Sequence, residues 1–133
     1  MNKKIFIACD TNKISVAQKI IKHSNTKKLK IGYKFGLEFI NSKNGRSFIS
    51  KIKDKIIFAD LKLHDIPNTC ASAVNAIKDL KVNYLTIHLS AGLEALKATK
   101  KASGKTKLIG VTILTSLDNY SLKQIGYDKE LKK

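Results

Sequence analysis

Ile56-Ile57-Phe58-Ala59-Asp60-Leu61-Lys62-Leu63-His64-Asp65-Ile66-Pro67-Asn68-Thr69 is the stretch on which the reading of this chain turns. Its first four residues form a continuous apolar run, which predicts a buried strand ending at Asp60. In extended backbone, residues two apart share a face. Asp60 and Lys62 are therefore expected to project together, directly beyond the apolar run. Pro67 predicts a turn, because the residue before a proline leaves the helical region. Asn68 or Thr69 is expected to cap the following helix. That helix is predicted over residues 69–80, with Ala71, Ala73, Val74, Ala76, Ile77 and Leu80 on a broad apolar stripe.

The same alternation continues on both sides. Strands are expected at residues 5–9, 29–37, 82–87 and 108–114, and helices at 15–23, 47–52 and 93–102. Short apolar strands separated by helices of about ten residues indicate βαβ units and a parallel sheet. A sheet covered on both faces carries near-continuous apolar strands, and that is the pattern expected here. No Gly-x-Gly-x-x-Gly follows the first strand, so the usual dinucleotide signature is absent. Strand ends recur about every 25 residues, and eight such units need roughly 200 residues or more. The 133 residues form one domain by length. They read either as an open five-stranded sheet or as about five units of an incomplete (β/α)₈ barrel, breaking off in a developing helix at Leu131-Lys132-Lys133.

Composition narrows the function. Hydrophobic residues are 43% of the chain, in the globular range. No apolar run approaches the ~20 residues that span a bilayer. The basic start and short apolar run of residues 1–9 end at Asp10, too short for a signal peptide. They read as a first strand, and the protein as cytoplasmic with no membrane partner. Cys9 and Cys70 have no metal-ligand spacing and make no disulfide framework, so reduced, partly buried thiols are expected. The net charge is +16, yet Arg46 is the only arginine and aromatic residues are 7%. Lysines spread over helical polar faces, without clustered aromatics or arginine forks, argue against nucleic acid. A positive field does suit a small phosphorylated substrate.

Polar residues recur where the strands end: Asp10, Lys34, Asp60 with Lys62, His88, and Thr115 with Ser116. In α/β folds sites are built at that edge. Asp60 and Lys62 alone read first as a structural ion pair, although the desolvation cost of placing charges there, only partly recovered by pairing, leaves room for a functional role. Lys34, inside an apolar strand, requires a partner. Lys34, Asp60, Lys62 and Asp65 are expected to form an alternating charge chain in which a held ammonium serves as proton donor. His64 reads as structural, and His88 as a packing or hydrogen-bonding residue. No His/Cys/carboxylate set has metal spacing, and no nucleophile elbow is present.

Residues 60–69, Asp-Leu-Lys-Leu-His-Asp-Ile-Pro-Asn-Thr, resemble the signature of bacterial orotidine 5′-phosphate decarboxylases. Ile7-Ala8-Cys9-Asp10, Tyr33-Lys34-Phe35-Gly36-Leu37-Glu38-Phe39, Leu85-Thr86-Ile87-His88 and Val111-Thr112-Ile113-Leu114-Thr115-Ser116 are similar to its first, second, fourth and fifth strands. Cys9 departs from the leucine usual there. The resemblance implies a (β/α)₈ TIM barrel, of which this chain is the N-terminal part and apparently truncated. It implies decarboxylation of orotidine 5′-monophosphate to UMP in de novo pyrimidine synthesis, without metal or organic cofactor. Asp10 and Lys34 would bind the ribose side, Asp60 would face the substrate carboxylate, and Lys62 would protonate C6. Asp65, Ile66 and Thr69 would belong to the substrate site, with Asp65 and Thr69 reaching the partner's site in a homodimer. Thr115 and Ser116 would lie near the pyrimidine. Barrel phosphate sites commonly follow strands seven and eight, and Arg46 is misplaced for that task. The stretch by itself is therefore expected to be inactive. The competing readings are a sister Mg²⁺-dependent sugar-phosphate decarboxylase or aldolase on the same barrel, and a silent fragment.

Overall fold

The computed structural model describes residues 4–24, 26 and 28–128. The strands are β1 (Lys4–Ala8), β2 (Lys30–Gly36), β3 (Ile56–Leu63), β4 (Tyr84–His88) and β5 (Lys107–Val111). Between and after them lie α1 (Ile14–His23), α2 (Leu37–Asn41), α3 (Gly45–Ser50), α4 (Pro67–Ala76), α5 (Leu93–Ser103) and α6 (Asn119–Gln124). The developing helix expected at Leu131-Lys132-Lys133 lies outside the described residues.

All strand pairs are parallel, and the sheet order is β1-β2-β3-β4-β5. A doubly wound sheet reverses its order at a switch point. This sheet never reverses, so each unit advances in one direction, as in a barrel wall. The sequence left that choice open, and strand order settles it.

The two faces of the sheet differ. Tyr33, Phe35, Ile57, Ala59, Leu85 and Ile87 point to the helices and are 0–3% exposed. The Tyr33 hydroxyl meets Ser24 Oγ at 3.0 Å and donates to the Ile21 carbonyl at 3.3 Å, so its polar end is satisfied at the end of α1. Phe35, Phe39 and Phe48 pack with ring centroids 4.8–6.5 Å apart and tie α2 and α3 to β2. The other face alternates with the first. Its floor is Phe6, Phe58 and Tyr84, with centroids 5.2–6.1 Å apart. Gly32 makes room for this floor: a Cβ there would lie 2.6 Å from the Phe6 ring. The expected near-continuous apolar strands are thus corrected. One face is apolar, and the inner face carries ionisable groups above an aromatic floor.

Several boundaries also differ from expectation. β3 does not end at Asp60 but runs to Leu63. α4 begins earlier, with Pro67 at its first turn and Ile66 in the N-cap position without a side-chain cap. Neither Asn68 nor Thr69 caps it, because both already lie inside the first helical turn, past the position from which a side chain can cap it. α4 stops at Ala76, and a 3₁₀ turn over Lys78–Leu80 carries the chain on. α2 was not anticipated. β5 ends at Val111, so Thr115 and Ser116 lie in the loop beyond it rather than at the strand end. Both cysteines are free and fully buried rather than partly so. Burial, with the nearby Asp10 charge, pushes the Cys9 thiol up to about 11. Among the described residues, no helix is long and apolar enough to cross a membrane.

Candidate active site

The inner face ends, at the C-terminal edge of the sheet, in an ion cluster. β2 supplies Lys34, and β3 supplies Asp60 and Lys62. Lys34 Nζ lies 3.2 Å from Asp60 Oδ2, and Lys62 Nζ lies 3.0 Å from Asp60 Oδ1. The Asp60 side chain is 10% exposed, against 30% for Lys34 and 39% for Lys62. The carboxylate is therefore the buried centre, and the ammonium groups reach out from it toward solvent.

A third donor completes the shell. The Thr86 hydroxyl, on β4, donates to Asp60 Oδ1 at 3.0 Å. Burial pushes the Asp60 carboxyl up, but the hydrogen bonds from Lys62, Thr86 and Lys34 outweigh it and hold the group below its ordinary value. The carboxylate stays ionised. Such a centre repels a second anion placed beside it and keeps two ammonium groups oriented.

Simple strand alternation does not produce this geometry. Ala59 pairs with Leu85 and Leu63 with Ile87, so four steps along β3 match two along β4. Inside this bulge Lys62 has φ +48°, in the left-handed region. Its N–H donates to Thr86 Oγ1 at 2.8 Å. The bulge re-aims the Lys62 side chain, which is a common use of bulges beside sites.

Beyond the cluster, His88 ends β4 and packs against His64, the rings tilted by 34° with centroids 5.2 Å apart. Burial, then the His64 ring, then the Lys62 charge lower the His88 pKa, favouring the neutral ring. The two histidines line a cavity of about 400 Å³ with Thr112, Leu114, Ile125 and Tyr127. That volume suits a small organic ligand.

The remaining expected site residues are dispersed. Asp10 is exposed just past β1, its carboxylate 4.0 Å from where a Gly36 Cβ would stand. It shares the edge of the cluster without joining it. The expected four-member charge chain is corrected to three members. Asp65 is exposed, and its Oδ1 accepts the Ile66 N–H at 2.7 Å. Ile66 and Thr69 are exposed with it around the start of α4. Thr115 and Ser116 are exposed in the β5–α6 loop. Sequence reasoning missed Thr86. Its one signal was a polar residue two before His88, hence on the same face. Among the described residues, no group of three or more His, Cys, Asp or Glu is arranged to hold a metal ion.

The chain and its fold are similar to known proteins. The family model described as orotidine 5′-phosphate decarboxylase / HUMPS matches residues 3–133. The orotidine 5′-phosphate decarboxylase of Wolbachia sp. subsp. Brugia malayi (strain TRS) is 44% identical over 135 residues, covering 96% of this chain and 57% of the relative. That of Sphingopyxis alaskensis is 41% identical, over 95% of this chain and 56% of the relative. The chain thus spans little more than half the length of these curated relatives. Among solved structures, the Lactobacillus acidophilus orotidine 5′-phosphate decarboxylase superposes with a TM-score of 0.85 at 27% identity, over 96% of this chain and 61% of that one. The Methanocaldococcus jannaschii orotidine 5′-monophosphate decarboxylase, solved with the inhibitor BMP, gives 0.72 at 26%, over 84% and 53%. The partial barrel wall, its charged C-terminal edge and these matches agree: the chain belongs to the orotidine 5′-phosphate decarboxylase / HUMPS family.

Proposed function

We propose that this chain carries the proton-delivering part of an enzyme that converts orotidine 5′-monophosphate to UMP and CO₂, a step of pyrimidine synthesis. The observation that carries the proposal is the buried Asp60 carboxylate held between Lys34 and Lys62 at the C-terminal edge of the inner face. Loss of CO₂ leaves an electron pair on C6 of the pyrimidine. The Lys62 ammonium stabilises that developing charge and then gives C6 its proton. A unit charge at ~4 Å contributes about 4 kcal/mol at an effective dielectric near 20. That is part of the barrier reduction, and positioning by the remote phosphate supplies more. Asp60 faces the departing carboxylate. The chemistry uses neither metal nor organic cofactor, because the ammonium provides the positive charge.

Asp10 and Lys34 contact the ribose side, and Thr115 and Ser116 lie near the base. Ile66 belongs to the substrate site, and Asp65 and Thr69 serve the site of a second subunit in a homodimer. Their exposure, and the absence of Asp65 from the ion cluster of its own subunit, favour that reading. Residues 1–133 act as one domain of a cytoplasmic enzyme. The aldolase-type alternative has less support, because the relatives above carry the decarboxylase name.

The test is UMP formation from orotidine 5′-monophosphate by the gene product that carries this chain. Lys62→Ala is expected to abolish turnover while an inhibitory nucleotide analogue still binds. Retained turnover refutes the role of Lys62. Residues 1–133 alone are expected to form little UMP, since they supply five strands and barrel phosphate sites commonly follow strands seven and eight.

A further inference from the structure

We propose that Thr86 is a positioning residue for the Asp60–Lys62 pair, one hydroxyl that joins the backbone of the proton donor to the carboxylate. Its Oγ1 accepts the Lys62 N–H at 2.8 Å and donates to Asp60 Oδ1 at 3.0 Å. Lys62 Nζ returns to the same Oδ1 at 3.0 Å. The ring closes: Lys62 backbone, Thr86 hydroxyl, Asp60 carboxylate, Lys62 ammonium. A hydroxyl has one proton to give, and this geometry spends it on Asp60 while a lone pair takes the Lys62 N–H.

The location makes the hydroxyl hard to replace. Thr86 is 4% exposed, so water does not substitute freely for it. It lies opposite the bulge, where Lys62 has left the ladder and holds φ +48°. A left-handed lysine persists only where its surroundings over-determine it, and the Thr86 contact is one such constraint. The same bond takes one of the lone pairs of Oδ1, so the carboxylate cannot rotate without breaking it. Thr86 sits 24 residues from Lys62 and 26 from Asp60, and couples β4 to both. It touches neither substrate nor reacting atoms in this account. It acts through the two groups that do.

The catalytic part of this inference rests on the decarboxylase reading, while the positioning part does not. Two variants separate the hydroxyl from the side-chain shape. Thr86→Val keeps the shape and loses both hydrogen bonds. Thr86→Ser keeps the hydroxyl and loses a methyl. Asp60 is followed by ¹³C NMR titration of its carboxyl in this chain, and turnover is measured on the gene product that carries it. For Thr86→Val the Asp60 titration is expected to move up toward the ordinary carboxylate range. Its kcat is expected to fall about 10- to 100-fold, the size of one hydrogen bond to a charged group, with KM little changed. Thr86→Ser is expected to restore both. The inference is overturned if valine matches the wild type and serine is the worse variant, which is the order packing alone would give. If Thr86→Val does not fold, Thr86→Cys, with its weak S–H donor, must show the same upward titration, and an unmoved Asp60 overturns the inference. If the wild type forms no UMP at all, the decarboxylase reading fails while the titration still decides the role of Thr86.

Discussion

Replacing Lys62 by glycine is expected to leave a more stable chain than replacing it by alanine, reversing the usual order. Both substitutions remove the ammonium 3.0 Å from Asp60, so the loss of that ion pair cancels between them. What remains is the backbone. At φ +48° a residue with a Cβ costs ~1–2 kcal/mol relative to glycine. Glycine gives back ~0.5–1 kcal/mol through the greater freedom of its unfolded chain. With mid-range values the balance favours Lys62→Gly by about 0.8 kcal/mol. Urea unfolding followed by far-ultraviolet circular dichroism measures it, since the chain has no tryptophan. With a slope of ~1–3 kcal/mol per molar urea, the midpoints should differ by a few tenths of a molar or more. Lys107, exposed on β5 with ordinary backbone, is the control, and there alanine should exceed glycine. If alanine equals or exceeds glycine at position 62 while Lys107 behaves ordinarily, the left-handed backbone at Lys62, and with it the argument for the bulge, is refuted.

Two further outcomes follow from the geometry. The folded state depresses the Asp60 pKa below the ordinary 3.8, so its contribution to stability is fully present above that value and is lost as pH falls through the folded pKa. Urea midpoints between pH 6 and pH 2 should therefore drop more steeply below pH 4 for the wild type than for Asp60→Asn, and parallel curves would contradict this. Gly45→Ala, at the start of α3, would normally favour a helix by up to ~1 kcal/mol. Here its Cβ would overlap the Phe39 carbonyl and lie 2.7 Å from Ser42 Oγ, so a loss of about 1–3 kcal/mol in unfolding free energy is expected instead.

By itself, the sequence determined what local pattern can encode. The run at residues 56–59, the spacing of Asp60 and Lys62, the lone Lys34 in an apolar strand, and the helical stripe containing Val74 and Ile77 all follow from the character and order of neighbouring residues. Strand–helix alternation and the polar residues toward the ends of β2, β3 and β4 were legible for the same reason. Tertiary structure alone decided how those elements meet. Strand order chose the barrel wall over the open doubly wound sheet, because hydrogen-bond partners across strands leave no periodicity along the chain. The β3–β4 register placed the bulge, turned Lys62 into the left-handed region and delivered Thr86 from 26 residues away to Asp60. The Asp65 carboxylate went to the Ile66 N–H at the start of α4 and left the charge chain with three members. A local pattern names the groups with chemistry to offer, whereas the distances that make them a site come from pairings between segments distant in the chain.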